Sequence, residues 1–113
     1  MSCERAGAII RIIFYILRLK KKTNDYFDAD YISDQYNKIL KSPSHGKRIK
    51  SFIKKFKKHG SKKGILTLEK GSELRNWLYK HTKTKRIFWF EYSKNGFRLK
   101  KEYIKCLNDL MKT

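Results

Sequence analysis

The apolar positions of this chain fall into periodic blocks divided by polar and glycine-bearing stretches. Residues 8–19 read AIIRIIFYILRL, an almost continuous apolar run. Such a run belongs to a buried strand or to a core helix, and periodicity alone does not separate them. Its β-branched and aromatic content favours a strand, with Lys20-Lys21-Lys22 beginning a basic linker that reaches residue 24. From Asp30 to Lys41, Ile32, Tyr36, Ile39 and Leu40 recur at i, i+4, i+7 and i+8, which predicts an amphipathic helix capped by Asp28 or Asp30. Ser42-Pro43-Ser44-His45-Gly46 predicts a break. Ile49, Phe52, Ile53 and Phe56 then mark one face of a second helix over Arg48–Lys58, with Gly60 where a C-cap belongs. The short connection predicts an antiparallel helix pair.

The second half is less uniform. Gly64–Leu68 is a short apolar run suited to a strand or a loop edge. Residues 72–82 admit two patterns. Ser72 can cap a helix that places Leu74, Trp77 and Leu78 on one face, or Leu74, Asn76 and Leu78 can alternate along a strand. Arg86-Ile87-Phe88-Trp89-Phe90-Glu91-Tyr92 has strand composition, and Asn95-Gly96 predicts a type I′ turn into a return strand at Phe97-Arg98-Leu99. The aromatic run suits a sheet core, with Phe88 and Phe90 on one side and Ile87 and Trp89 on the other. Tyr103, Ile104, Leu107, Leu110 and Met111 close the chain at roughly helical spacing.

Length and composition narrow this. The 113 residues suit one domain spanning 1–113, and a content of 40% hydrophobic and 14% aromatic residues separates the chain from disordered basic tails. The run at 8–19 is too short to span a bilayer, is interrupted by Arg11 and Arg18, and lacks a small-residue cleavage site. No membrane partner and no signal peptide are expected. Cys3 and Cys106 are the only cysteines, and their spacing supports neither a disulfide framework nor a zinc site. A reducing, cytoplasmic location follows as the expectation.

Charge changes the picture most. No acid lies between Asp34 and Glu69, whereas that interval holds Lys38, Lys41, Lys47, Arg48, Lys50, Lys54, Lys55, Lys57, Lys58, Lys62 and Lys63. With a formal net charge of +19, the chain is expected to attract polyanions, because each neutralised phosphate releases counterions. RNA, DNA and the ribosome are the candidate partners.

Motifs for the common catalytic chemistries are absent: no glycine-rich phosphate loop, no His/Cys metal spacing and no Gly-x-Ser-x-Gly. No metal or cofactor is expected. Asp25, Asp28, Asp30 and Asp34 lack the spacing of a calcium loop and suit capping and charge balance, and His45, His59 and His81 are scattered. A basic and aromatic set remains around the hairpin: Arg75, Lys80, His81, Lys83, Lys85, Arg86, Arg98, Lys100, Lys101, Tyr103 and Lys105. Such a set can hold a phosphate backbone and stack bases. It can also cleave RNA without a metal, by attack of a 2′-hydroxyl on the adjacent phosphorus while cations stabilise the phosphoryl oxygens.

Residues 48–105 resemble the RelE/HigB toxin superfamily, in particular its phage-derived HigB-like branch. The resemblance rests on the helix from Arg48 to Phe56, Lys58-His59-Gly60, Glu73-Leu74-Arg75, Arg86-Ile87-Phe88-Trp89-Phe90, and Phe97-Arg98-Leu99 leading to Tyr103-Ile104-Lys105. It implies an α+β fold in which two N-terminal helices pack on a small, mainly antiparallel twisted sheet, with Ile12-Ile13-Phe14-Tyr15 as first strand. It implies metal-independent endoribonuclease cleavage of mRNA, usually on the ribosome, and an acidic antitoxin partner. Arg75, Arg86 and Lys105 would stabilise the scissile phosphate, and Tyr103 falls where the family has an aromatic residue. Cys106 stands where the family has a second lysine. Lys50, Lys54, Lys57, Lys58, Lys83, Lys85, Arg98, Lys100 and Lys101 are the remaining nucleic-acid-binding candidates.

The alternative is a non-enzymatic nucleic-acid-binding module, either an RNA- or ribosome-associated protein or a winged helix. In the winged helix, Asp30–Lys41, Arg48–Lys58 and Ser72–Thr82 are helices, Arg86–Lys100 is the wing, and Arg75, Asn76 and Tyr79 face the major groove of DNA. The secondary structure of residues 72–82 separates the two: the toxin requires a strand over Glu73–Tyr79, and the winged helix requires a helix.

Overall fold

In the computed structural model, α1 (Ala8–Leu19) forms the centre of the molecule and packs against three other helices. The model describes residue 3 and residues 6–56, 68–83 and 89–111. The run expected as a strand is therefore this helix. Ile12, Ile13, Ile16 and Leu17 are wholly buried and Phe14 nearly so. A helix that is apolar almost all round belongs inside the fold, and the burial of several faces overrides β-branched propensity. Of its two arginines Arg18 is exposed and Arg11 is buried. Its Nε donates to the Ala6 carbonyl at 2.9 Å, and burial lowers its pKa. The helix ends in a Schellman arrangement with Lys21 at φ 55, Lys22 N–H donating to Leu17 O and Lys21 N–H to Arg18 O.

That reversal leads to Phe27 and then to α2 (Ala29–Leu40). Asp28 is the N-cap, its Oδ1 accepting from Tyr31 N–H at 2.7 Å. The expected helical face, Ile32, Tyr36 and Ile39, is buried. After Lys41-Ser42 comes α3 (Pro43–Phe56), which starts five residues before the expected Arg48. Proline at the first helical position lacks only an N–H that would have no partner there, so Pro43 opens this helix instead of breaking the chain. Gly46 permits the close turn, since a Cβ there would sit 2.9 Å from Leu40 O. Ile49 and Phe52 face inward, and Tyr15 of α1 meets the Phe52 ring edge-on at 5.8 Å while its hydroxyl bonds His45 Nδ1 at 2.7 Å. Gly60 and Gly64 lie outside the described residues.

Residues 72–82 lie within α4 (Gly71–Lys83). Leu74 and Leu78 are fully buried and Trp77 is half-buried, so helical spacing prevails over the alternating one. α2 and α4 form the most extensive helix contact of the fold. Four features fix it. A Cβ on Gly71 would overlap the Ser33 carbonyl oxygen, so the two backbones touch. Gly71 N–H donates to Asn37 Oδ1 at 2.8 Å. The Glu73 carboxylate accepts from Leu68 N–H at 2.9 Å and Glu69 N–H at 3.3 Å. The buried Tyr36 hydroxyl donates to Leu68 O. Leu68 is thereby held at φ 55, a left-handed conformation that a branched residue adopts only under such constraint.

The sheet is the antiparallel pair β1 (Phe90–Ser93) and β2 (Gly96–Leu99), with Phe90 opposite Leu99 and Tyr92 opposite Phe97. Positive φ falls on Gly96 (φ 108) and not on Asn95, so Lys94-Asn95 make the bend and the turn is not type I′. Glycine is needed at Gly96 twice over, because a Cβ would also lie 2.5 Å from Phe27 O. Phe27 pairs with Phe97 on the other edge of β2, the two residues exchanging hydrogen bonds of 2.8 and 2.7 Å. Ile87 and Phe88 lie outside the described residues.

α5 (Lys101–Met111) occupies the stretch that the resemblance makes a final strand. Leu107 and Met111 are buried at i and i+4, and Arg48 donates to Met111 O at 3.3 Å. Cys106 is disulfide-bonded to Cys3, with Cα atoms 5.7 Å apart. Sequence spacing gave no basis for this pair, which the fold brings together from opposite ends of the sequence. The unpaired cysteines that suggested a reducing location are therefore bonded to each other. The fold is α+β, with five helices and one small two-stranded antiparallel sheet among the described residues. Unlike the expected arrangement, the helices are not all N-terminal: α4 directly precedes the hairpin region and α5 follows it. Among the described residues no helix is long and apolar enough to cross a membrane.

Gly71→Ala should destabilise the protein by about 1–3 kcal/mol or more, read as a lower urea midpoint, because α4 must back away from Ser33. Reduction of Cys3–Cys106, or Cys106→Ser, should cost about 2–5 kcal/mol, read as a lower melting temperature. Burial, aided by the Glu73 charge, raises the Tyr36 pKa above its ordinary 10.0. Its contribution is fully present below that value and is lost as pH rises through the higher folded-state pKa. Urea unfolding across that range should therefore show an alkaline loss of stability that is smaller in Tyr36→Phe.

Candidate nucleic-acid interface

The anchoring of α4 on α2 determines which side chains it presents. Leu74 and Leu78 face inward, which leaves Asn76, Tyr79 and Lys80 exposed and Arg75 partly so. Arg75 is drawn back onto α2, its guanidinium 3.3 Å from Asp30 Oδ1 with both side chains largely in solvent. An exposed pair of this kind contributes little to stability, so its main effect is to orient Arg75 and offset part of its charge.

The hairpin stands beside this surface, docked through Phe97. That ring is almost fully buried beneath three others: Phe27 stacked at 5.9 Å, Tyr79 edge-on at 5.9 Å and Tyr92 tilted at 4.7 Å. Alternation along β2 sends Arg98 to the opposite side of the sheet. There it bonds the Glu91 carboxylate across the strands at 2.7 Å and covers the Tyr26 ring at 4.4 Å. The bond to Glu91 raises the Arg98 pKa further. Lys94 and Asn95 are exposed at the tip.

A second cationic surface lies on α3, where Lys47, Lys50, Lys54 and Lys55 are exposed at i, i+3, i+7 and i+8 and the helix contains no acid. Lys57, Lys58 and Lys85 lie outside the described residues, and Lys83 ends α4. α5 lines an open cleft of about 690 Å³ with Lys101, Ile104, Lys105, Asn108 and Asp109, closed on one side by Asn24. Lys100 donates its backbone N–H to Trp89 O at 3.0 Å, which ties the end of β2 to the segment before β1.

Each described residue of the expected catalytic set has its own neighbour. Arg75 meets Asp30, Tyr103 packs its ring on Trp89 at 4.7 Å, and Lys105 lines the α5 cleft. Arg86 lies outside the described residues. Glu73-Leu74-Arg75, a strand in the RelE/HigB arrangement, is part of α4, and Tyr103-Ile104-Lys105 is part of α5. Among the described residues no three His, Cys, Asp or Glu side chains are grouped to hold a metal. Sequence patterning had singled out Tyr79 but not Tyr26 or Tyr92. Tyr92 lies two residues from Phe90 on the same side of β1, yet it is exposed.

Comparison of the chain with protein-family models, curated proteins and solved structures gave no match.

Proposed function

We infer that this protein is a non-enzymatic nucleic-acid-binding module of winged-helix type, with α4 as its contact helix and the β1–β2 hairpin as its wing. The observation that carries this is the helical state of Glu73–Tyr79. A RelE/HigB-like endoribonuclease needs a strand there, and needs Arg75, Arg86 and Lys105 to converge on one concave face. The order Phe27, β2, β1 along the sheet also supports a wing: the short first edge ties the hairpin to the start of α2, and α2 in turn holds α4. Phosphate contacts would come from Lys80, Lys94 and the lysines of α3, while Asn76 is exposed to bases and Arg75 becomes so on leaving Asp30. The net charge of +19 supplies long-range attraction to RNA or DNA whatever the detailed fit.

Fluorescence anisotropy with labelled RNA and DNA across a salt series tests this. Affinity should fall linearly on a log–log plot, with a slope of about −0.7 to −0.9 per phosphate neutralised. The double substitution Lys80→Gln/Lys94→Gln should make that slope shallower by about 1.5–2, and the nucleic acid should be recovered intact. Salt-insensitive affinity would overturn the proposal. Metal-free RNA cleavage lost in Arg75→Ala and Lys105→Ala would return the weight to a ribonuclease, with its ribosome and antitoxin partners.

A further inference from the structure

Tyr79 is 40% exposed and Tyr92 is 57% exposed, although both rings rest on the buried ring of Phe97. They come from different elements, α4 and β1, and meet at the junction of helix and hairpin. Each ring is braced on one side by Phe97 and open on another. Tyr26, the third exposed tyrosine of this region, differs: the Arg98 guanidinium already covers it at 4.4 Å on the opposite side of the sheet.

We propose that Tyr79 and Tyr92 form a stacking platform for unpaired bases, so that this surface grips single-stranded nucleic acid in preference to duplex. The proposal rests on the inference above that the α4–hairpin face contacts nucleic acid, and it names the form bound. Three features carry it. First, a tyrosine side chain has few rotatable bonds, and a ring already seated on Phe97 loses little further freedom when a base stacks on it. Second, every base has a π-face, so stacking accepts any sequence but requires bases free of a duplex. Third, the edge-reading alternative is poorly supplied. Arg75, the α4 side chain best suited to bidentate contact with a guanine edge, is paired with Asp30, so reading a base edge with it means giving up that contact. Lys80, one position beyond Tyr79, and Lys94, two beyond Tyr92, place a cation near each ring in sequence for the backbone that links stacked bases.

The test compares a labelled oligothymidine with a hairpin duplex of the same charge at fixed salt, for wild type, Tyr79→Leu, Tyr92→Leu and the corresponding phenylalanine variants. Wild type should bind the single strand more tightly. Each leucine variant should lose about five- to a hundredfold in single-strand affinity. The phenylalanine variants should stay near wild type, because the ring and not the hydroxyl does the stacking. Circular dichroism of each variant checks that the fold persists, and the wild-type preference between single strand and duplex keeps the test decisive if a leucine variant fails to fold. Equal or tighter duplex binding, or leucine variants that bind the single strand as wild type does, would overturn the platform while leaving nucleic-acid binding intact. Failure to bind either probe would overturn both inferences together.

Discussion

The contact between α2 and α4 sets which side chains α4 turns to solvent beside the hairpin. It is a backbone contact, made possible because Gly71 has no side chain to separate it from the Ser33 carbonyl. Once the helices are that close, the rotation of α4 about its own axis has little freedom. Asn37 fixes the first N–H of α4, and Glu73 reaches back to accept from the Leu68 and Glu69 N–H groups. Tyr36 closes the same corner by holding the Leu68 carbonyl. The inward placement of Leu74 and Leu78 follows, and with it the outward placement of Asn76, Tyr79 and Lys80. The hairpin is then positioned from both ends of this unit: Phe97 touches Tyr79 of α4 and pairs with Phe27 just before α2.

Polar groups in the interior follow the same economy. Arg11 enters the core through a bond to a carbonyl of the chain just ahead of its own helix. Tyr15 and His45 satisfy one another where α1 meets α3. Both contacts lie on α1, the element that touches α2, α3 and α5, so the most buried helix is also one that carries polar cross-links. Buried polar groups with partners of this kind specify orientation more than they add stability.

Much of this was legible in the sequence where a strong local signal agreed with the tertiary outcome. The spacing of Ile32, Tyr36 and Ile39, with Asp28 ahead of them, identified α2 and one of its two candidate caps. The aromatic run and Asn95-Gly96 placed the hairpin, although the bend settled one residue earlier because Phe27 crowds Gly96. The misplaced α1 and the undecided α4 share a cause. In α1 and α4 the apolar residues suit either period, and the decision belongs to neighbours distant in sequence: three packing helices for α1, and Ser33 and Asn37 for α4. The Cys3–Cys106 bond was illegible for the same reason, since no local pattern announces a pairing across 103 residues. The basic character of the candidate interface could be read directly. Of its aromatic component Tyr79 was read and Tyr92 was not, because the exposure of Tyr92 depends on how β1 packs against the helices.

The lysine face of α3 has an effect on the protein itself. Lys47, Lys50, Lys54 and Lys55 stand one helical turn or two apart with no acid on the helix to separate them, a spacing at which like charges repel and loosen a helix. Dissolved salt relieves that repulsion. The same salt weakens any hold on a polyanion. Ionic strength therefore acts on this helix in two opposed ways, firming its shape while dulling its grip. A polyanion bound there would add counter-charge directly and so would steady α3 as it bound.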